Sequence, residues 1–248
     1  MAQIITVLGM VIASQPIGEY DRRIVILTKE KGKITAFAKG ARRQNSSLLA
    51  ATNSFAFGKF FLYEGRNSYT VHQAEIQNYF SEFRMNLEAA WYGMYFLELA
   101  DYFTRENNDE KEMLKLLYHT MRALLSPVFE NELIRYIFEF KSMVINGEYP
   151  NIFECSKCGK TVTNAFFEPE EFQVICTNCK VEGKKIYELS QSAVYTLQYI
   201  AGASVEKLYT FTVSPEVFFQ IKKVIGICRK KVIDRKFKSE EFLQNNNF

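Results

Sequence analysis

The sequence contains few histidines and no nucleotide-binding signature. Only His72 and His119 occur among the 248 residues. Neither lies next to a nucleophile pattern, so we interpret both as ordinary surface or core residues. Phosphate-binding loops of the Gly-x-x-x-x-Gly-Lys-Ser/Thr type and the Gly-x-Gly-x-x-Gly fingerprint are both absent. The sequence therefore predicts a protein that is not an enzyme.

Long apolar segments are lacking as well. No run approaches the roughly 18 apolar residues of a membrane-spanning helix, and the first residues lack the basic start and cleavage site of a signal peptide. Four of the five cysteines belong to one metal-type motif, and free thiols of this kind persist in a reducing compartment. We expect a cytoplasmic protein that does not associate with membranes.

Those four cysteines form the most specific motif of the chain. Cys155 and Cys158 make one Cys-x-x-Cys pair, and Cys176 and Cys179 make a second, with seventeen residues between the pairs. This spacing is typical of a four-cysteine zinc ribbon, and the alternatives are two disulfides or four ordinary thiols. Four thiolate ligands leave no open coordination position, so the motif predicts a structural rather than a catalytic zinc ion.

Residues 1–80 are rich in β-branched and aromatic residues, which favour strands. Strands are predicted at Ile4–Ser14, Arg22–Thr28, Lys33–Lys39, Phe55–Tyr63 and Ser68–Tyr79. Five short strands in this length indicate a small closed barrel, of which the oligonucleotide-binding (OB) fold is the common soluble example. Residues 40–54 would then form a loop or short helix between the third and fourth strands. Strand counting leaves an SH3-like barrel or a plain meander open.

The apolar period becomes helical after Phe80. Helical spacing continues to about residue 150 and resumes from about residue 187, on either side of the cysteine motif. Within that module, strand-like segments occur at Ala165–Phe167 and Phe172–Ile175. The order predicts an α+β multidomain protein: an OB-fold barrel over 1–80, a helical domain over 81–150 and 187–248, and an inserted four-cysteine zinc-ribbon module over 151–186.

Positive charge is concentrated in the predicted barrel. Between Arg22 and Arg43 there are eight Lys or Arg residues and a single acid, Glu30. Proteins that grip nucleic acid strands combine such cations with aromatic side chains on which bases stack. The aromatic candidates are Phe37, Phe57, Phe60, Phe61, Tyr63 and Tyr69. Strand alternation should turn about half of them toward the core.

Several segments, taken together, resemble the RecO family of bacterial recombination mediators. In chain order they are Gly18-Glu-Tyr-Asp21-Arg, Leu27-Thr-Lys-Glu-Lys-Gly32-Lys, Ala38-Lys39-Gly40-Ala-Arg42-Arg43 and Phe60-Phe-Leu-Tyr-Glu64-Gly, followed by the cysteine pairs. The resemblance extends over essentially the whole chain, in the order barrel, helical domain, inserted zinc module and returning helices. The chain departs from the family pattern after Arg43, where Asn45, Ser46 and Ser47 are neutral.

The resemblance implies a DNA-binding mediator of recombinational repair that is not an enzyme. Such proteins bind single- and double-stranded DNA, anneal complementary strands and, with RecR, help load RecA onto DNA covered by single-strand-binding protein. They also bind the acidic C-terminal tail of that protein, typically through the helical domain, and they act at the nucleoid in the cytoplasm. The matching DNA-contact candidates are Lys39, Arg42 and Arg43, with Arg22, Arg23 and Lys33 as neighbours.

No motif assigns the tail-binding site. On charge alone its candidates are Lys222, Lys223, Arg229, Lys230 and Lys231. Two other functions compete with the mediator: a zinc-ribbon nuclease or RNA-modifying enzyme, and a zinc-ribbon interaction module of a transcription or translation assembly. An enzyme would need clustered carboxylates, and we interpret Glu168, Glu170 and Glu171 as a solvated turn around Pro169. Cys228, on the apolar face of the last long helix, is interpreted as a buried inert thiol.

Overall fold

The computed structural model describes residues 3–66, 68–180 and 183–245. By contacts within the chain it divides into two compact units, Met1–Leu125 with Phe237–Phe248, and Ser126–Lys236. The domain boundaries expected from the sequence are finer than this division and stay predictions. Within the described ranges, no helix is both long and apolar enough to cross a membrane.

The N-terminal part of the first unit is a closed five-stranded barrel. Its strands are β1 (Ile4–Ile17), β2 (Asp21–Thr28), β3 (Gly32–Ala38), β4 (Phe57–Glu64) and β5 (Tyr69–Asn78). They are hydrogen-bonded in the closed order β1-β2-β3-β5-β4, with β3 and β5 parallel and the other pairs antiparallel. The predicted OB-type barrel is confirmed, and the meander alternative is wrong. The connection between the third and fourth strands, expected as a loop or short helix, contains the short helix α1 (Leu48–Ala51).

Side-chain alternation decides which barrel residues form the core. Along β3, Ile34 and Ala36 are buried, whereas Lys33 and Phe37 point outward and are half-buried. Of the six aromatic candidates, Phe60 and Tyr69 are buried in the barrel core. The other four, Phe37, Phe57, Phe61 and Tyr63, are half-buried on the outside. Only the outward group can offer ring faces to a ligand.

Three helices complete the first unit: α2 (Leu87–Phe103), α3 (Lys111–Leu124) and α7 (Lys238–Asn245). The Asn86 side chain accepts a hydrogen bond from the Ala89 N–H and so caps the start of α2. The chain returns at its C-terminal end to pack on α2, where Phe237 lies edge-on to Tyr95. Ser239 Oγ donates to Glu98 at 2.7 Å, which fixes the beginning of α7 beside α2.

The β2–β3 turn joins the barrel to these helices. Its backbone pairs with the α2–α3 loop, since Lys33 N donates to Arg105 O at 3.0 Å and Asn107 N donates to Lys31 O at 3.1 Å. Gly32 has φ +65°, and a Cβ at this position would lie 2.5 Å from Arg105 O. Only glycine therefore allows the turn to lie against the loop so closely.

The second unit holds α4 (Asn131–Ile145), α5 (Gln191–Gly202) and α6 (Pro215–Val232), which pack on one another. The cysteine module lies between α4 and α5 in sequence and carries the antiparallel strands β6 (Ala165–Glu168), β7 (Gln173–Cys176) and β8 (Tyr187–Leu189), in the order β7-β6-β8. The module is thus inserted between two helices that contact each other.

Hydrogen bonds hold this module on α5 and α6. Gln198 Nε2 on α5 donates to Ile152 O at 2.9 Å and to Val162 O at 3.2 Å. Lys231 Nζ on α6 donates to the carbonyl oxygens of Pro169 and Glu170, at 3.1 and 2.8 Å. Both helices therefore contribute side chains that fix loops of the inserted module.

The turn at Gly32 provides a test of how the barrel is held on its helices. We expect Gly32→Ala to lower the free energy of unfolding by about 2–4 kcal/mol, because a left-handed backbone and a backbone clash act together. Gly18→Ala is the matched control, since Gly18 has φ +53° but no atom lies within 4 Å of the added Cβ. The free energy of unfolding of the control should fall by about 1 kcal/mol. Urea unfolding measures both, and equal losses would contradict the role assigned to the close contact.

Candidate nucleic-acid interface and metal centre

Two connections meet at one end of the barrel, the β1–β2 turn and the loop from β3 to α1. Arg42 N donates to Tyr20 O at 2.8 Å, and the Asp21 carboxylate accepts from Gly40 N at 2.7 Å. Gly40 has φ +63°, and the resulting tight turn is closed by Arg43 N donating to Gly40 O at 3.1 Å. The loop therefore has a defined conformation, set by the turn beside it.

This arrangement gathers cations on one exposed edge, which we call the basic rim: Lys39, Arg42 and Arg43 with Tyr20. All four side chains are exposed. Arg42 Nη1 donates to Gly18 O at 3.3 Å, and the Arg43 guanidinium lies 5.2 Å from the centroid of the Tyr20 ring. The rim thus offers three positive charges to solvent, with two of the three side chains steered by the neighbouring turn.

The other three predicted DNA-contact residues lie in different surroundings. Arg22 is half-buried, and its Nη1 donates to Leu49 O, Thr52 Oγ1 and Asn53 Oδ1, at 3.0, 3.0 and 2.6 Å. Burial, and then the nearby charge of Arg42, lower the pKa of Arg22. Lys33 Nζ donates to Asp101 on α2, at 2.6 Å to its carbonyl and 3.0 Å to Oδ1.

Arg22 therefore fixes the end of α1, and Lys33 fixes the barrel on α2, whereas Arg23 is exposed. The structure brings Arg22 next to the basic rim but directs its guanidinium toward backbone and side-chain acceptors. Lys33 sits at the opposite end of β3 from Lys39. A DNA-contact role for each of the six residues stays a prediction.

An outward row of side chains crosses the barrel next to Arg23. The strand register pairs Tyr63 with Thr70, Thr70 with Phe37, Phe37 with Arg23, and Arg23 with Gln15. Paired residues of neighbouring strands project to the same face. Two aromatic rings and one cation consequently share one line across four strands. The sequence could not reveal this row, because it depends on a parallel pairing between β3 and β5 that no local pattern encodes.

The four cysteines of the two pairs come together as predicted. All four Sγ atoms lie within 4.8 Å of one another and can hold a metal ion. The first pair lies on a tight turn in which Cys155 N donates to Lys160 O and Gly159 N donates to Cys155 O, both at 2.8 Å. The second pair lies at the end of β7 and in the following 3-10 turn, Thr177–Cys179. Every cysteine is a free thiol, so the disulfide alternative is wrong.

The thiols of the cluster differ in how readily they ionise. Burial opposes ionisation of Cys155, but hydrogen bonds from the backbone of Cys176, Cys158 and Lys157 outweigh it and lower its pKa to about 6. Hydrogen bonds with the Cys176 and Cys158 thiols raise the pKa of Cys179 to about 12. Four thiolates this close together repel one another, so a bound cation is what would allow all four to lose their protons.

Glu168 departs from the expected solvated turn. It ends β6 and is only 2 % exposed, with its carboxylate 2.6 Å from Lys184 Nζ and 2.5 Å from Gln173 Nε2. These hydrogen bonds, that of Lys184 first, lower the pKa of Glu168. The prediction was wrong for Glu168 because strand pairing carries it inside, whereas Glu170 and Glu171 are exposed. Cys228 is buried, and burial raises its pKa to about 12, as for an inert thiol.

The cations proposed on α6 are largely engaged locally. Lys222 Nζ donates to Glu132 at 2.5 Å, Arg229 lies 3.7 Å from Glu139, and Lys231 bonds the carbonyls described above. Lys223 Nζ lies 4.1 Å from the centroid of the Tyr187 ring, and Lys230 is exposed. As described, α6 therefore does not present a continuous open basic face. A tail-binding role for these residues stays a prediction.

The fold and the cysteine cluster define an OB-barrel protein with added helices and a four-cysteine metal-type module. A family model described as Recombination protein O N terminal matches residues 1–80, and one described as Recombination protein O C terminal matches residues 84–241. The chain belongs to the RecO family. Membership of this family supports a role in DNA repair and recombination.

Individual relatives agree with the family models. A protein named DNA repair protein RecO from Alkaliphilus metalliredigens is 33% identical over 218 residues, which cover 88% of this chain and 89% of the relative. Proteins of the same name from Acetivibrio thermocellus and Clostridium novyi are 30% and 26% identical, over 95% and 94% of this chain and 94% and 91% of their own lengths.

Arg22 and Arg23 are neighbours in sequence, but Arg22 donates to protein acceptors and Arg23 is exposed. Replacing each in turn distinguishes a structural cation from a surface cation. We expect Arg22→Ala to lower the free energy of unfolding by about 1–2 kcal/mol, because three acceptors at the end of α1 lose their donor. Arg23→Ala, on the exposed side of the same strand, should change stability by less than about 0.5 kcal/mol. Urea unfolding of both variants measures the difference. Equal stability of the two would show that the Arg22 contacts do not hold α1.

Proposed function

We propose that this protein is a recombination mediator that binds single- and double-stranded DNA without acting on it as an enzyme. The observation that carries the proposal is the basic rim, where Lys39, Arg42 and Arg43 are exposed together on a loop of fixed conformation. Cations held in this way contact phosphates, which are common to every DNA sequence. Binding is therefore sequence-independent and weakens steeply as salt concentration rises.

The outward row beside the rim supports a preference for strands with accessible bases. Phe37 and Tyr63 are half-buried and share this face with Arg23. Ring faces next to cations are the elements that single-stranded DNA-binding barrels combine. A strand bound there has part of its charge neutralised and its bases kept apart, so a complementary strand approaches against less repulsion. This is the physical basis that we propose for annealing.

Family membership extends the proposal to partners. With RecR, the protein would help to load RecA onto DNA covered by single-strand-binding protein, and its helical part would bind the acidic tail of that protein. Among the cations considered for the tail, Lys223, Lys230 and Lys231 are exposed on α6, and Lys231 already donates to the carbonyl oxygens of Pro169 and Glu170. The working location is the cytoplasm, at the nucleoid, where DNA and reduced thiols occur together.

The basic rim is tested by a triple variant and a charge-matched control. Changing Lys39, Arg42 and Arg43 together to Ala should weaken binding of a fluorescent single-stranded oligonucleotide. The slope of log affinity against log salt should fall by about 2, since each lost phosphate contact removes roughly 0.7. Annealing of complementary strands should slow in parallel.

The control triple variant changes Lys59, Lys111 and Lys115 to Ala, three exposed lysines of the same unit. This variant removes the same amount of positive charge away from the rim. Its slope of log affinity against log salt should therefore stay close to that of the unaltered protein. Fluorescence anisotropy over a range of salt concentrations compares the two proteins. Identical slopes, with both proteins folded, would overturn the assignment of DNA contacts to the rim.

We further propose that the cysteine cluster holds a structural zinc ion through Cys155, Cys158, Cys176 and Cys179. Tetrahedral zinc with Zn–S bonds of about 2.3 Å places its sulfur ligands about 3.8 Å apart. The Cys158 and Cys176 Sγ atoms are 3.8 Å apart, and thiolates are ligands that zinc prefers. The module has three short strands and little core of its own, so zinc binding would contribute much of its folding free energy.

Metal analysis of two cysteine variants tests this assignment. The protein purified without chelator should carry about one zinc ion per chain, and Cys176→Ala should lose it and melt at a lower temperature. Cys228→Ala removes a thiol that lies outside the cluster and should keep the metal. Elemental analysis and thermal unfolding give the two readouts. Full zinc content in Cys176→Ala would contradict a structural zinc site. So would an unaltered protein that loses its zinc to a chelator and keeps the same melting temperature.

A further inference from the structure

A cavity of about 580 Å³ opens in the first unit between α1 and the β5–α2 connection. Its lining combines aromatic rings, hydrogen-bonding groups and one cation. The residues used below are Asn53, Ser54, Phe55, Tyr79, Phe80, Phe83 and Arg84. Neither the DNA contacts proposed above nor the cysteine cluster uses any of them.

Aromatic rings form one side of the cavity. The Phe55 and Phe83 rings meet at 4.9 Å and 60°, and the Phe80 ring stacks on Phe83 at 5.9 Å and 13°. Tyr79 is 48 % exposed, so its ring is open to a ligand. Phe55 lies close over α2 at Gly93, where an added Cβ would come within 3.0 Å of the ring. Phe55, Phe80 and Phe83 are thus fixed by packing on one another and on α2, whereas the Tyr79 ring remains accessible to a ligand.

Two of these aromatic residues have a left-handed backbone, which side chains of this size rarely adopt. Phe55 has φ 75° and Phe80 has φ 48°. Each is held by a hydrogen bond, from Phe55 N to Val11 O at 3.0 Å and from Phe80 N to Asn78 Oδ1 at 2.8 Å. Strained residues of this kind cluster at ligand-binding sites more than elsewhere. Their coincidence at one cavity supports a binding role for it.

The cavity is continuous with the cations of the barrel end. Asn53 Oδ1 accepts the hydrogen bond from Arg22 Nη1 at 2.6 Å, and Arg22 is near enough to Arg42 for the two charges to interact. Arg84 is exposed and also lines the cavity. A ligand that fits this arrangement has a flat aromatic part next to negative charge.

We propose that this cavity takes an unstacked base of a single strand of DNA bound at the basic rim. A nucleobase offers a π-face to Tyr79 and a polar edge to Asn53 and Ser54, and its flanking phosphates meet Arg84 and the basic rim. An apolar protein segment would use the rings but leave the cations without a partner. The inference rests on the proposed function, since it requires a strand at the rim, and it adds a specific base-binding pocket to it.

The test compares a thymidine oligonucleotide with a strand of the same length that carries abasic sites. Tyr79→Ala should weaken binding of the thymidine strand about 5-fold or more, the usual effect of losing one stacking side chain, and should leave the abasic strand unaffected. Its salt slope should not change, because no phosphate contact is removed. Tyr79→Phe keeps the ring and should bind like the parent. Tyr195→Ala, at another exposed tyrosine, is the matched control and should also bind like the parent.

Crosslinking gives a readout that needs no variant. A strand containing 5-iodouracil, irradiated with the unaltered protein, should give a covalent product in the peptide that spans Tyr79 to Arg84. Crosslinks found only in other peptides would overturn the inference, and so would equal losses on the two strands or no loss in Tyr79→Ala. If the rim variant still lowers the salt slope in those cases, the proposed function stands and the cavity serves another ligand, such as a protein segment. If the unaltered protein binds no DNA, both proposals fail.

Discussion

The parallel pairing of β3 with β5 is the contact on which the candidate DNA surface depends. It is short, joining Ala36 to Tyr69 and Phe37 to Thr70, yet it converts four antiparallel strand contacts into a closed barrel. Closure fixes which side chains point inward and removes the open edges of the sheet. It also aligns Phe37 with Tyr63 through Thr70, so ring faces that are separate in sequence lie on one line.

Positive charge has two different uses in this barrel. Arg22 and Lys33 donate to several acceptors each and connect elements, whereas Lys39, Arg42 and Arg43 remain exposed. Their sequence contexts are alike, since all five occur in a stretch with a single acid. What separates them is the presence of acceptors at the end of α1 and on α2, which only the folded chain provides. Total charge is therefore a poor guide to which cations can reach a phosphate.

The features that the sequence predicted well are those encoded by short-range patterns. Alternation located the barrel strands, the helical period indicated helices on either side of the cysteine motif, and the Cys-x-x-Cys spacing located the cluster. The features that it missed join distant residues. Lys33 and Asp101 are 68 positions apart, and Glu168 becomes buried because β6 lies between β7 and β8. Phe55 and Phe80 line the proposed base-binding cavity with a left-handed backbone. Aromatic residues rarely adopt this conformation, so the sequence gives no sign of it.

The two candidate centres impose opposite demands on their surroundings. The rim requires like charges to stay solvated and close together, and hydrogen bonds to the Tyr20 and Gly18 carbonyls steer its loop against that repulsion. The cysteine cluster requires four thiols to lie close together, of which only Cys155 is buried, and backbone hydrogen bonds to Cys155 favour the thiolate there in spite of burial. In both centres the backbone supplies the opposing interaction. A change in loop conformation at Gly40 or Gly159, where the backbone is left-handed, would therefore disturb the centre that each loop helps to form.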